Sequence, residues 1–344
     1  MPKVSVIIPN YNHAPYLQQR IQSVLNQTFQ DFDLTYLDDA STDDSNAVFK
    51  QFEPQPRIKA IYNDLNSASP FKQWNKGVRA TTGEYIWIAE SDDVADPNFL
   101  ATLLPVLDRN PNVGLAHCQS CRIDPNNVVV TQSLREWVED LSADRWSHDF
   151  VANGLSECQK YLVFRNTIPN ASAVLIRRSV YEAIGGAEES LILTGDWMTW
   201  IRILLKSDIA FCAQILNSFR THNSSVSSRS YLNGTEICEY MLIRQTLEES
   251  NIQLPTQTLA KIKEQSIDNW VNLTFNPEST IGLKDHLKFY RLAKKTGSHT
   301  EITILRRLAH YLRHQTTRKI RPWVPKSIMS AWDNLKIEKP IPSK

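Results

Sequence analysis

Residues 4–12 read Val-Ser-Val-Ile-Ile-Pro-Asn-Tyr-Asn, and residues 84–93 read Glu-Tyr-Ile-Trp-Ile-Ala-Glu-Ser-Asp-Asp. The first holds a short β-branched run, Val4 to Ile8, that stops at turn residues, as a strand buried on both faces of a parallel sheet does. The second gives another strand, Tyr85 to Ala89, that runs into an acidic turn. Between them the pattern repeats. Pro15 to Asn26 puts Tyr16, Leu17, Ile21, Val24 and Leu25 at the spacing of a helix with one buried face. Leu34 to Leu37 reads as a strand ending in Asp38-Asp39, and Ser41 or Thr42 can cap a helix running to about Phe52. Ile58 to Tyr62 and Phe71 to Arg79 supply the next strand and helix. Strands alternating with helices imply an α/β fold: an open, mostly parallel, Rossmann-like sheet with right-handed crossovers and flanking helices.

Residues 113–220 are less regular, with expected strands at Val113–His117, Val128–Thr131 and Ala173–Ile176 and a helix from about Trp197 to Lys206. They are expected to complete the sheet and cover its carboxyl edge. After Arg229 the pattern turns helical, at Glu236–Glu249, Thr258–Trp270 and Lys284–Ala293. The expected organisation is therefore a catalytic domain over 1–229 and an α-helical C-terminal extension over 230–344. Residues 301–344 hold ten Lys or Arg against three acidic residues, with Trp323 and Trp332 interleaved. That basic tail is a candidate for peripheral contact with an anionic membrane surface, and a solvated helical face explains it equally well.

Over 344 residues the net charge is +1, with 22% charged and 42% hydrophobic residues, the balance of an ordinary globular protein that does not point to nucleic acid. Five scattered cysteines do not read as a disulfide framework and fit a reducing compartment. Cys118 and Cys121 have half a zinc-site spacing without a second pair, so they read as small apolar side chains at a strand end. No stretch approaches the roughly 20 apolar residues that span a bilayer, and the first apolar run is too short for a signal peptide. The expected location is the cytoplasm, with the inner membrane face as the place of any peripheral contact.

In an open α/β sheet ligands bind beyond the carboxyl ends of the strands. There this chain places Asp38-Asp39 and Glu90-Ser91-Asp92-Asp93, without basic residues nearby in sequence. Such a cluster calls for a divalent cation, Mn²⁺ or Mg²⁺, bridging carboxylates to a diphosphate. Glu90 and Asp92 stand two apart and can point to one side. A dinucleotide-binding enzyme would show a glycine-rich turn after the first strand, but Pro9-Asn10-Tyr11-Asn12-His13 has no glycine, and no P-loop occurs. Capping roles compete with the chemical ones: acidic residues favour helix N-termini, and Asp196 can simply cap the helix after it. Trp197 and Trp200, three apart, offer either a sugar platform or core packing.

Five segments in order, "VSVIIPNYN", "DDASTDDS", "WNKGVRATTGEYIWIAESDD", "GDWMTWIRI" and "FRTHNSSVS", resemble the inverting family 2 glycosyltransferases with the A-type nucleotide-diphospho-sugar transferase fold. The resemblance implies transfer of a sugar from a nucleoside-diphosphate-sugar to an acceptor hydroxyl. It implies that Pro9 and Tyr11 lie beside the nucleotide base, that Asp39 accepts the base's imino proton, and that Asn75 and Glu90 lie near the donor. Asp92, alone or with Asp93, and His222 would hold the metal, and Asp196 would be the general base. Glu90 stands where the family commonly has aspartate, and Trp74 where it often has arginine. The implied donor is a UDP-sugar first, with thymidine or guanosine still open. The implied acceptor is a glycan or lipid-linked glycan in bacterial surface polysaccharide synthesis. The competing readings are a nucleotidyltransferase, which should carry a basic glycine-rich loop that is absent, and a non-catalytic nucleotide- or glycan-binding module.

Overall fold

A computed structural model of the chain describes residues 1–53, 55–222, 232–250, 252, 254, 256–295 and 300–320. Its first half alternates as the sequence implies: β1 (Val4–Asn10), α1 (Ala14–Leu25), β2 (Phe32–Asp38), α2 (Ser45–Lys50), β3 (Ile58–Tyr62), α3 (Pro70–Arg79) and β4 (Tyr85–Ile88). There follow β5 (Val94–Ala95), α4 (Phe99–Arg109), β6 (Val113–Ile123), β7 (Val129–Thr131), β8 (Phe150–Ala152), α5 (Gly154–Glu157), β9 (Val174–Arg177), α6 (Arg178–Ala183), α7 (Gly195–Leu204) and β10 (Asp208–Arg220). The strand order is β3-β2-β1-β4-β9-β6-β10-β5. The first four strands are parallel. Beyond β4 the sheet is mixed, because β9 runs antiparallel to both β4 and β6, while β10 is again parallel to β6. Strands β5, β8 and β10 are additions to the sequence expectation.

Side chains alternate across this sheet with period two. Val4, Val6, Ile8, Tyr85 and Trp87 face one apolar layer with Phe99 and Leu103. Ile7, Ile86 and Ile88 face the other with Trp74, Trp197 and Trp200. Both faces are covered, so β1 is buried throughout and its run is mostly apolar, with Ser5 the one polar residue before Pro9 and Asn10, rather than alternating. Each fully buried Val, Leu or Ile contributes about 1.5–3 kcal/mol.

The expected cap of α2 is corrected. The residue at its N-cap is Asp44, and Ser41 is engaged elsewhere: its Oγ accepts from the Asn12 backbone N–H at 3.0 Å and from the Asn10 amide at 3.1 Å. Asn12 (φ 58°) in turn accepts from the Thr42 N–H at 2.8 Å, so the turns after β1 and β2 are laced together. Cys118 and Cys121 lie on β6 as free thiols, the first buried. Trp197 and Trp200 are both core residues, their indoles donating to the Leu162 and Ile168 carbonyls.

Past residue 232 come helices Thr235–Glu249, Thr256–Thr274, Leu283–Lys295 and Thr300–Ile320. Ile237, Met241, Trp270 and Phe289 make a separate small core, with Trp270 stacked on Phe289 at 4.3 Å. Ile243 and Leu247 of the first of these helices instead join the cluster of Ile7 and Trp200 under the sheet. Among the described residues no helix is long and apolar enough to cross a membrane. Trp323, Trp332 and the rest of the basic tail beyond residue 320 lie outside the described residues.

Candidate active site at the carboxyl edge of the sheet

The carboxyl ends of β1, β2 and β4 open onto a cleft of about 600 Å³ whose walls include Pro9, Tyr11, Asp39, Glu90, Asp92 and Asp196. That is room for a nucleotide-sized ligand. The two aspartates that end β2 divide their work. Asp38 is built into the turn, accepting from Tyr36 Oη at 3.0 Å and the Ser41 N–H at 2.9 Å. Asp39 points to the cleft: its Oδ1 accepts from Asn63, the Ser67 N–H and Gln73 at 2.6–2.9 Å. Its Oδ2 accepts from Ser67 Oγ at 2.8 Å. Oδ1 thus carries three donors and Oδ2 one, so Oδ2 is the less occupied oxygen and the one with room for a further donor. Tyr11, 47% exposed, stands beside it on the cleft wall.

At the other end, ligand atoms of His13, Asp92 and His222 come within 4.8 Å of one another. His222 Nε2 lies 3.0 Å from Asp92 Oδ2, and His13 Nδ1 lies 2.8 Å from Ser91 Oγ, which fixes the imidazole orientation. Burial lowers the His13 pKa, favouring the neutral ring that ligates metals. Burial opposes ionisation of Asp92, but the His222 hydrogen bond and the nearby His13 outweigh it and hold the carboxyl below its usual range. Two imidazoles and a carboxylate form a donor set that fits a divalent cation.

Asp93 is not part of that set. Its Oδ1 accepts from the Arg220 backbone N–H at 2.9 Å, and burial, with the charge of Asp92, pushes its pKa up to about 7. His13 is the member that sequence reading missed. Nor is the acidic turn without basic neighbours: Arg20, fully buried against Trp87, and Arg220, whose Nε donates to the Asp92 carbonyl at 2.7 Å, approach it from distant parts of the chain.

Glu90 and Trp74, the two departures from the family pattern, are partners. Trp74 Nε1 donates to Glu90 Oε1 at 2.7 Å, and burial followed by repulsion from Asp92 raises the Glu90 pKa to about 8. Asn75 does not reach the cleft. Its amide donates to the Ala187 carbonyl and Glu189 Oε1 and accepts from Tyr181 Oη and the Ala187 N–H, all within 2.9 Å. It braces a loop rather than facing a ligand. Asp196, in the first turn of α7, reaches the cleft with Oδ1 accepting from the Trp197 N–H at 2.7 Å and Oδ2 from Asn166 at 2.9 Å. Burial pushes its pKa to about 7 despite those bonds.

An open α/β sheet with a glycine-free nucleotide cleft, a histidine–carboxylate cluster and a cleft-facing carboxyl titrating near neutrality defines the nucleotide-sugar transferase class of site. Residues 5–185, just over half of the chain, match the family model for glycosyl transferase family 2, and the chain belongs to that family. It is 31% identical to an uncharacterized glycosyltransferase of Nostoc sp. (strain PCC 7120) over 64% of this chain and 62% of that protein, so it spans less than two thirds of that relative's length. It is 33% identical to the GalNAc(5)-diNAcBac-PP-undecaprenol beta-1,3-glucosyltransferase of Campylobacter jejuni over 34% of this chain and 37% of that one. Among solved structures, S. aureus TarS 1–349 in complex with UDP-GlcNAc superposes with a TM-score of 0.62 at 16% identity, over 91% of this chain and 87% of that one. Mannosyltransferase PcManGT from Pyrobaculum calidifontis, in complex with GDP-Man and Mn²⁺, gives 0.57 at 15% identity over 97% and 88%. At those identities the likeness shows the shared A-type fold.

Proposed function

We propose that the chain is a metal-dependent inverting glycosyltransferase that moves a sugar from a nucleoside-diphosphate-sugar to a hydroxyl of a glycan or lipid-linked glycan acceptor. The observation that carries this reading is the placement of Asp39, Asp92 and Asp196 on the walls of one cleft, with the Asp196 carboxyl pushed up to about 7.

Tyr11 offers the base a ring face, and Asp39 Oδ2 accepts the imino N–H. His13, Asp92 and His222 are the residues that would hold a divalent cation. Two imidazoles beside one carboxylate favour Mn²⁺ over the harder Mg²⁺, which prefers oxygen. Such a cation, when bound, neutralises the charge of the leaving diphosphate. Glu90, whose pKa burial and the charge of Asp92 raise to about 8 and whose Oε1 is tied to Trp74, offers a donor sugar a hydrogen-bonding group. Asp196 takes the acceptor hydroxyl's proton as that oxygen attacks the anomeric carbon. A single displacement with one base inverts the configuration. A role in surface polysaccharide synthesis is supported by the lipid-linked glycan in the name of the Campylobacter relative.

The test is calorimetric titration of UDP and of GDP, each with and without Mn²⁺, into wild type and Asp92→Ala. Metal-dependent binding of one diphosphate that disappears in the variant is the expected result. Failure of both, and of thymidine diphosphate titrated in the same way, to bind under any metal condition rejects the reading.

A further inference from the structure

The cleft wall that carries Asp196 is held from outside the sheet. Glu239, 2% exposed on helix Thr235–Glu249, aims its carboxylate at the loop just before α7. Oε1 accepts from the Ile192 N–H at 2.8 Å. Oε2 accepts from the Leu193 N–H at 3.0 Å, the Thr194 N–H at 2.9 Å and Thr194 Oγ1 at 3.1 Å. Three consecutive backbone N–H groups turned to one point form an anion nest, and here the anion is a side chain of the same protein. Two residues beyond Thr194 stands Asp196, and Ile192, 45% exposed, faces the cleft.

The far end of the same loop is pinned by Asn75 through both polar groups of Ala187. Gly186 precedes it at φ 84°, where a Cβ would sit 2.4 Å from Asn75 Oδ1. The stretch from 187 to 194 is thus clamped at both ends, by a helix of the sheet domain and by a helix of the C-terminal region. Glu239 forms no ion pair with a Lys, Arg or His among the described residues, and burying a carboxylate without a cation is unfavourable unless hydrogen bonds replace its water. An apolar residue would join the two helices at lower cost. The charge is useful where four donors must be gathered at one place.

We propose that Glu239 is a positioning residue for the transfer reaction: it fixes residues 192–194 and so aims Asp196 at the acceptor side of the cleft. The proposal rests on the reading of Asp196 as the base. Glutamine in its place has one carbonyl oxygen for the four donors, and its NH₂ group would confront N–H groups.

The experiment compares wild type, Glu239→Gln, Asp196→Asn and the double variant as full-length chains. Nucleoside diphosphate release is followed with whichever of UDP-glucose, UDP-N-acetylglucosamine and GDP-mannose the wild type turns over fastest. Hydrogen exchange over 188–200 is followed on the same samples. For Glu239→Gln, kcat should fall about 100-fold with donor KM within about twofold, since a base misplaced by an ångström loses that much rate without losing donor contacts. Exchange at 192–194 should accelerate, diphosphate binding should persist, and the double variant should be no slower than Asp196→Asn. Unchanged kcat and exchange in Glu239→Gln overturn the proposal, and so does a joint loss of kcat and diphosphate binding, which marks a merely structural tie. Asp196→Asn with wild-type kcat rejects the base reading instead, and the exchange result still reports what Glu239 holds.

Discussion

At Asp196 two hydrogen bonds favour the carboxylate and burial opposes it, and burial wins, leaving the group poised near pH 7. A general base works only when deprotonated, so the sign is fixed. Transfer rises with pH up to about 7, is flat above it, and falls about tenfold for each unit below. Asp196→Asn should lower kcat by about 10²–10⁴-fold and abolish this acidic limb, leaving diphosphate affinity in place. A pH–rate profile of kcat in both proteins checks it, and an unchanged limb in the variant assigns the titration to another group. Asp39, Asp92 and Asp196 could be picked from the sequence because each lies in a segment with a family pattern. His13 could not, because what brings it to Asp92 is the meeting of the β1 and β4 turns, 78 residues apart at its contact with Ser91. Asn75 fails for the opposite reason: its segment matches, but its amide is taken up by the 187–189 loop, a contact across 112 residues that no local pattern records.

Helices α3 and α7 meet at the wall of the cleft, to which they contribute Phe71, Trp74 and Asp196. At Gly195, the first residue of α7, a Cβ would lie 2.4 Å from the Phe71 ring, which is itself buried and packed edge-on against Trp74 at 5.1 Å. Phe71 therefore cannot swing away cheaply. Gly195→Ala should cost about 1–3 kcal/mol, the usual penalty for overpacking, and should weaken transfer by tilting the turn that carries Asp196. Thermal unfolding reads the first effect, and Phe71→Leu in the same chain should recover part of it. A Gly195→Ala protein with unaltered Tm and activity shows that the contact is slack. Elements such as β1 and β4 are readable because burial on both faces leaves a mostly apolar run that does not alternate. β10 is not, since register shifts between Cys212 and Asn217 break its alternation and put two exposed residues inside the strand.

The helical region after residue 232 shares an apolar cluster with the sheet. Ile243 and Leu247 sit in the apolar cluster that also contains Ile7 of β1 and Trp200 of α7, while Ile237 and Met241, one turn away on the same helix, belong to the helical core. A helix whose two faces serve two cores couples them, because it cannot leave one without exposing the other. Calorimetry should therefore show one unfolding transition over both parts. Diphosphate plus Mn²⁺, touching only the sheet side, should raise that whole transition. At about 100 times Kd the linkage term is about 2.7 kcal/mol, which for a chain of this size moves Tm by several degrees. In Asp92→Ala the metal-dependent part of the shift should vanish. If two transitions appear and the ligand moves only one, Ile243 and Leu247 fail to transmit stability between the cores. The helical region would then unfold without disturbing the nucleotide cleft. A single ligand-raised transition instead makes the helices part of the folded unit that binds the donor, and the helix that carries Glu239 would then be folded whenever the cleft is.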